Sequence, residues 1–477
     1  MERNDARSQL RLTHLFLMPA IITSKFRLEN ASNFKETVTG DSIYLAIGKS
    51  DNWNSTLGGA EVTAPTPVDT LVERNDFWQN AIALKKVDSA SATHIAPRYT
   101  WTLGNTYVPW DDASDSIFAQ QFYVITSEFK VYKLVRKLHT ATTAQIEPTH
   151  TTTAPTVRDP GDGHFWKYMY TITAAEATAF MTNLYMPVKT VVIPTGGVIG
   201  DLSPEDQTRY TYQNNSAADA GRIFRIVVTS GGTGYLAAPT VTIEGNGTGA
   251  TATAYVSGGI VTRIDVTVDG NGIPVGTGYS VANIKLTPTN GGSGAVARAV
   301  LSPKGGHGTD PVSELGGFYV GLRVVLNGPE GGGDFIVSGA QFRQIGVIRN
   351  PYNYGTTTVS TSTTLSSLKT LTLGVGSTGG FKVGDYFTGG TSQAKAYVDA
   401  FDSTTGVLKY HQNDKTGYTA FSVSEAITGA TAGAGSVGSL GNPEVDRFSG
   451  EVMFVENRAA INRSASQLED IKIILEF

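Results

Sequence analysis

Three aspartates, Asp111, Asp112 and Asp115, follow Pro109-Trp110. Paired carboxylates beside an aromatic ring are the equipment of glycosidic hydrolysis, one as acid and the other as base or nucleophile. Aspartate is also common in loops, where its side chain bonds its own backbone. An acidic loop or a helix N-terminus is therefore the plainer reading and the one adopted. The run Asp159-Pro160-Gly161-Asp162-Gly163 offers two carboxylates to a calcium ion, but the remaining oxygen spacing of an EF-hand loop is missing. It reads as a tight turn, as does Asp269-Gly270-Asn271-Gly272. In GGHGTDP, His307 lies near Asp310, a pair that could serve a metal or a general base. The seven histidines (His14, His94, His139, His150, His164, His307, His411) are scattered. No two fall at ligand spacing on one element, so a packed loop is preferred for His307.

Other chemistries lack their motifs. The glycine clusters GGTG and GNGTG are followed by no Lys-Ser/Thr and open no helix, so they are not phosphate loops. No G-x-S-x-G elbow occurs. Trp53, Trp78, Trp101, Trp110 and Trp166 could build a sugar platform, but core and interface packing is the commoner use. No catalytic, cofactor-binding or metal-binding residue is assigned.

The elements that would hold these residues are mostly strands. The 477 residues imply roughly three domains. Gly numbers 54 and charged residues make up only 17%. Abundant Thr with Val and Ile favours strands, and Gly with Asn supplies turns. Net charge is −5, from 37 basic and 42 acidic residues, which leaves no basic excess for nucleic acid. There is no cysteine, so disulfides and thiolate metal sites are excluded. No apolar run is long enough to span a membrane. The segment Leu12 to Ala20 is short, contains His14 and follows Glu2 and Asp5, so it is not read as a secretory signal.

Residues 21–34 predict an initial strand and then a short helix with Phe34 and Val38 on one face. Ile43, Leu45 and Ile47 predict a strand. NDFWQNAIALKKV predicts a helix carrying Phe77, Ala81 and Ile82. FYVITSEFKVYKLVRKL predicts a hairpin about Ser127-Glu128. Thr173 and Glu176 form a capping box that starts a helix, and MPVKTVVIPTG follows as a strand. Two internal repeats stand out. In residues 221–300, Tyr235 aligns with Tyr279, both in T-G-Y, and Gly249-Ala250 aligns with Gly294-Ala295. One copy cannot bury its own face, so the two should pair into one β-unit. In residues 360–440, Phe381 aligns with Phe421 and Thr388-Gly389 with Thr428-Gly429. TTTVSTSTTLSS before this repeat reads as a linker or an exposed strand. In EVMFVENRAAI both faces are apolar, which predicts a central strand. It ends in Glu456-Asn457-Arg458, read as an ion-pair clasp. Ile471, Ile473, Leu475 and Phe477 alternate to the end, which predicts a paired strand.

Several segments resemble the gene-product-eight wedge subunits of T4-like phage baseplates. They are Thr23-Ser24-Lys25-Phe26-Arg27, Asn33-Phe34, Gly48-Lys49-Ser50 to Trp53, and Ile95-Ala96-Pro97-Arg98 with Trp101. Further on are Pro160-Gly161-Asp162-Gly163 with Trp166 and Tyr168, Phe342-Arg343-Gln344-Ile345, Ser449-Gly450-Glu451 and Glu456-Asn457-Arg458. The order is shared, and the spans 18–213, 341–352 and 444–477 are covered. The resemblance implies a mainly β, multi-domain β-sandwich body with a few short helices, from which this chain departs by two inserted Gly/Thr-rich β-modules. The expected division is an extension at 1–17, body at 18–220, a module at 221–340, a body strand at 341–352, a second module at 353–443, and closing body strands at 444–477. It further implies a structural, non-enzymatic subunit without cofactors. That subunit would be a homodimer partnered with other baseplate wedge subunits, assembled in the host cytoplasm and placed in the virion tail, where it takes part in the rearrangement on contraction. The alternative is a tail protein that binds or hydrolyses carbohydrate, drawn from the tryptophans, the repeats and Asp111.

Overall fold

The computed structural model describes residues 21–151, 157–270, 272–326, 341–462 and 468–477. The extension expected over 1–17, with His14, lies outside these residues, as does Asn271. Strands and helices are numbered along the chain. The chain is mainly β, as expected, with several sheets and a few short helices.

Two sheets face each other in the body. The first has the order β17 (Thr364–Ser366), β2 (Ala81–Lys86), β1 (Ile43–Gly48), β16 (Gln341–Arg349), β24 (Glu451–Asn462). The second has the order β25 (Glu469–Glu476), β15 (Tyr319–Leu326), β3 (Ala92–Pro97), β8 (Tyr185–Val188). Between them lie Ile43, Leu45, Ile47, Phe342, Ile345 and Val347 from one sheet and Val320, Leu322, Val324 and Ile473 from the other. The alternate residues of β1, Tyr44 and Ala46, turn to the far face and meet Phe77 and Trp78 of α2 (Leu71–Asn80). Both faces of β1 are therefore buried, and burying each large side chain stabilises by about 1.5–3 kcal/mol. Gly346 in β16 is required by this packing: a Cβ there would stand 2.4 Å from the Phe77 ring. A third sheet, β4 (Tyr123–Ile125), β5 (Lys130–Lys137), β7 (His164–Thr171), β6 (Val157–Arg158), contains the expected hairpin. It shares a core with Ala96, Met186, Val188 and Phe318.

Helix α1 (Ser24–Gly40) corrects the first expectation. There is no initial strand: Thr23 caps the helix, accepting from the Phe26 N–H. Leu28, Ala31, Phe34 and Val38 recur at helical spacing and are buried, while Ile21 and Ile22 are exposed. The second predicted helix stops at Asn80, and Ala81 and Ile82 open β2 instead. The capping box of Thr173 and Glu176 is present and starts α3 (Ala174–Phe180). The strand expected in MPVKTVVIPTG shrinks to β8, which ends at Val188. Beyond it the chain turns to α4 (Pro204–Ser216), capped by Ser203 with Pro204 opening its first turn.

The first repeat folds as six strands: β9 (Ile223–Thr233), β10 (Thr240–Gly245), β11 (Ala252–Ser257), β12 (Ile260–Val266), β13 (Ala282–Thr287) and β14 (Ser293–Leu301). Three come from each copy, in the order β10-β13-β14-β9-β12-β11. The copies interlock through the aligned residues. The Tyr235 hydroxyl accepts from Ala295 N–H at 3.3 Å, and the Tyr279 hydroxyl from Ala250 N–H at 3.4 Å. Each tyrosine ring lies on a glycine of the other copy, Gly292 and Gly247, where a Cβ would approach within 2.4 Å. The T-G-Y and Gly-Ala signatures are thus the two halves of one contact, made twice.

The second repeat is a closed barrel of β18 (Lys369–Leu373), β19 (Tyr386–Gly389), β20 (Lys395–Asp402), β21 (Val407–His411), β22 (Ala426–Gly429) and β23 (Ala434–Gly441), ordered β18-β21-β20-β19-β22-β23. Reciprocity appears here too. Asp385 of the first copy accepts from the Thr431 N–H at 2.8 Å, and Glu425 of the second from the Thr391 N–H at 3.1 Å. When each copy is written as three strands a, b, c and its repeat as a′, b′, c′, the barrel follows the closed succession a-a′-c-b-b′-c′, and the six-stranded sheet is the same succession opened between c and b, running b-b′-c′-a-a′-c. Two repeats without evident likeness to each other share one strand succession, closed in the second and open in the first.

Three further differences follow. β15 and the short helix α5 (Pro311–Glu314) lie with the body, because β15 pairs with β25 and β3, so the six-stranded unit ends well before residue 340. Of the two readings of TTTVSTSTTLSS, residues 364–366 form a strand and not a linker, but it joins the body sheet on β2 with Leu365 and Ser366 buried instead of exposed. β24 is an edge strand, not a central one: its side chains are mostly half-buried, and only β16 pairs with it among the described residues.

Candidate functional site

The acidic cluster sits where the six-stranded unit meets the body. Asp111 Oδ2 lies 2.8 Å from Arg225 Nη2 on β9 and 2.6 Å from Arg298 Nη2 on β14. Asp112 accepts from the Leu301 N–H at 3.1 Å. Burial pushes the Asp111 carboxyl up, but the hydrogen bond to Arg298 and the charges of both arginines outweigh it and hold the carboxyl below its ordinary range. A carboxylate fixed between two guanidiniums is a poor proton donor and an occupied nucleophile. Asp115 does not join the pair but lines a separate surface cleft with Phe118 and Tyr319.

Behind this clasp lies a buried set of charges. Lys133 Nζ is 2.7 Å from Glu314 Oε2 and 3.9 Å from the centre of the Trp110 ring. Lys167 Nζ is 3.4 Å from Asp219 Oδ2. His307 fills the space between them, 1% exposed, with its ring against Phe224 and Trp110. Burial first, and then the charges of Lys133 and Lys167, push its pKa well below the usual histidine value. The sequence pairing of His307 with Asp310 is not what forms: Asp310 caps α5 and accepts from Thr190.

The turn reading of DPGDG is met in detail. Asp159 Oδ1 accepts from the N–H groups of Gly161, Asp162 and Gly163. Asp162 accepts from Gln145, Ile146 and His164. These oxygens are directed at backbone, and among the described residues no group of three or more His, Asp or Glu is arranged to hold a metal ion. Asp269 likewise closes its turn by accepting from the Ile273 N–H. Trp78 and Trp166 are buried, Trp110 bridges to the six-stranded unit, and Trp53 donates to the Arg458 carbonyl at 2.9 Å. The tryptophans are spread through the packing and form no common platform. Glu456 and Arg458 do pair, at 3.0 Å, but both are about 40% exposed, 41% and 39%, so the clasp is a surface pair of small worth.

The strongest polar cluster went unnoticed in the sequence. His411 of β21 is fully buried between Asp399 of β20, 2.8 Å from Nδ1, and Asp51 of the loop after β1, 3.6 Å from Nε2. Lys415 and Lys49 reach Asp51 at 2.5 and 3.1 Å. Asn413 joins the cluster to Asn80 at the end of α2. Burial works to lower the His411 pKa, but Asp399 and Asp51 outweigh it and raise it to about 9. Ser50 is close, but its hydroxyl donates to Asp399 at 2.6 Å and makes no contact with the imidazole. A cationic histidine that does not touch the serine is no general base for it. The cluster ties barrel to body. The only sequence hint was the Gly48-Lys49-Ser50 to Trp53 turn, since the other residues lie some 350 positions away.

Comparison with known proteins bears on the body. The family model for Gp8 of bacteriophage T4 matches residues 20–118, the stretch from α1 through β1, α2, β2 and β3. The baseplate wedge protein gp8 of Enterobacteria phage T4 is 24% identical over 244 residues, covering 43% of this chain and 70% of that protein. The residues that suggested chemistry are spent on turns and on joining the two repeat units to that body, and by sequence the chain is similar to the T4 baseplate wedge protein gp8.

Proposed function

We propose that this protein is a structural subunit of a contractile phage-tail baseplate wedge. It assembles as a homodimer with other wedge subunits in the host cytoplasm, resides in the virion tail, and moves with its neighbours when the sheath contracts. The observation that carries this reading is the match of the body to the T4 wedge protein. The site geometry supports a non-enzymatic role: Asp111, Asp112, Asp162 and His411 are all engaged in ion pairs or backbone hydrogen bonds that hold the fold. The two repeat units add surface to the gp8-like body and are held to it by charge clusters. Nothing favours the carbohydrate alternative. The test is fractionation of purified virions into tails and baseplates, with mass spectrometry of each fraction, followed by co-purification of the tagged chain with the wedge proteins of the same phage. The chain is expected in the baseplate fraction and in a wedge complex. Its absence from tails, or cleavage of a host-surface glycan that is lost with Asp111→Asn, would overturn the structural role.

A further inference from the structure

The homodimer of the preceding section needs a surface, and the sheet edges supply two candidates. β24 is long, but its register on β16 breaks twice, between Phe342 and Gln344 and between Val347 and Ile348. Its Arg458 carbonyl is already taken by Trp53. Bulges and occupied carbonyls spoil an edge for pairing. β25 is different. It pairs with β15 in unbroken register from Tyr319–Glu476 to Leu326–Glu469, and among the described residues no strand lies on its other side. It contains no proline and no bulge.

We propose that the free edge of β25 pairs antiparallel with β25 of a second copy, about a two-fold axis at Ile474, joining two four-stranded sheets into one of eight strands. This rests on the homodimer reading and names its interface. The sequence of the strand selects the register. Opposed residues in an antiparallel pair share a face. With the axis at Ile474, Lys472 stands opposite Glu476 of the second copy, twice, and Ile474 meets itself. On the other face, Ile473 meets Leu475 and Ile471 meets Phe477, again twice. Those four residues belong to, or pack against, the core between the body sheets, so the core would run through the joint. Shifting the axis to Lys472 opposes two lysines, and shifting it to Ile473 opposes Asp470 and Glu476. In the single chain Lys472 donates to the Thr178 carbonyl and Glu476 pairs through Oε1 with Arg27. The same ammonium reaches the Met181 carbonyl at 3.4 Å and lies 3.9 Å from Asp470, so in the dimer its third N–H would exchange Asp470 for Glu476 of the second copy.

The chain has no cysteine, which makes a direct test available on the full-length protein. Ile474→Cys places one thiol at the axis, and Met453→Cys places one on exposed β24 as control. Mild oxidation should link Ile474→Cys protein into a covalent dimer and leave Met453→Cys protein unlinked. Lys472→Glu should weaken the dimer about tenfold by light scattering, because two cross-strand pairs turn repulsive. Adding Glu476→Lys to that variant should restore it, and near-UV circular dichroism checks that each variant is folded. A wild-type dimer that neither links through position 474 nor responds to Lys472→Glu would place the interface elsewhere and leave the homodimer standing. A wild-type monomer at micromolar concentration would remove the homodimer itself.

Discussion

At the scale of single residues, His411 shows what a buried ion cluster does with pH. Its pKa in the folded protein is about 9, above the ordinary 6.5. A group raised by folding adds stability that is complete below its unfolded pKa and disappears as pH rises through the folded one. The window is therefore the alkaline side of neutrality, from about pH 6.5 to 9. The contribution at stake is on the order of 3 kcal/mol. Melting of the wild-type protein should weaken between pH 7 and 9.5, while His411→Gln protein should start lower and change less over that range. Wild-type and variant curves of equal slope would mean that the imidazole carries no charge at neutral pH. None of this was legible in the sequence. His411 was one of seven scattered histidines, and its partners arrive from β20 and from the loop after β1. By contrast, Asp159 and Thr173 act on neighbours two to four positions away, and local chemistry of that kind can be read directly.

Among the elements, success and failure divide along the same line. The capping box, the hairpin about Ser127-Glu128 and the alternation of β1 and β25 depend on short-range pattern, and the structure contains them. The aligned tyrosines announced that two copies complete one another, and they do so by exchanging contacts. What failed was context. EVMFVENRAAI is apolar on both faces, but its place at an edge is decided by what lies beside it. NDFWQNAIALKKV continues a helical pattern past Asn80, yet Ala81 is claimed by β1, opposite Gly48. The limits of the closed barrel are also clearer in the structure. Thr370 pairs with Gly441, so the chain enters and leaves side by side. Replacing residues 369–441 by a short Gly-Ser bridge should leave the body folded, since loop closure over so short a gap costs little. The shortened protein should keep a cooperative melt and its near-UV signal. Aggregation with loss of that signal would mean that the barrel supports the main core.

For the whole molecule, the roots of the two repeat units decide whether they swing or stay fixed. The six-stranded unit meets the body through side chains that water does not reach: Lys133 and Asp219 are 0% exposed and His307 is 1% exposed. Removing one member of such a pair strands the other. Lys133→Ala leaves the Glu314 carboxylate without its cation, which should cost about 3–5 kcal/mol. Because the cluster joins β5, β7, α5 and the chain leading to β9, the loss should lower the melting of body and unit together. Separate transitions, with only the six-stranded unit affected, would indicate a flexible joint. The same long-range wiring has a consequence for the order in which the chain acquires its shape during synthesis. Each repeat unit is drawn from one continuous stretch of roughly eighty residues or fewer. The body is not: β1 waits for β16, some three hundred residues later, and β15 waits for β25. As the polypeptide leaves the ribosome, the six-stranded unit can close while β1 is still without β16, and the barrel too can close before β15 receives β25. The body, whose first strands precede both repeat units, is then last to be completed, and its unpaired early strands are the part of the nascent chain that most needs shielding by chaperones.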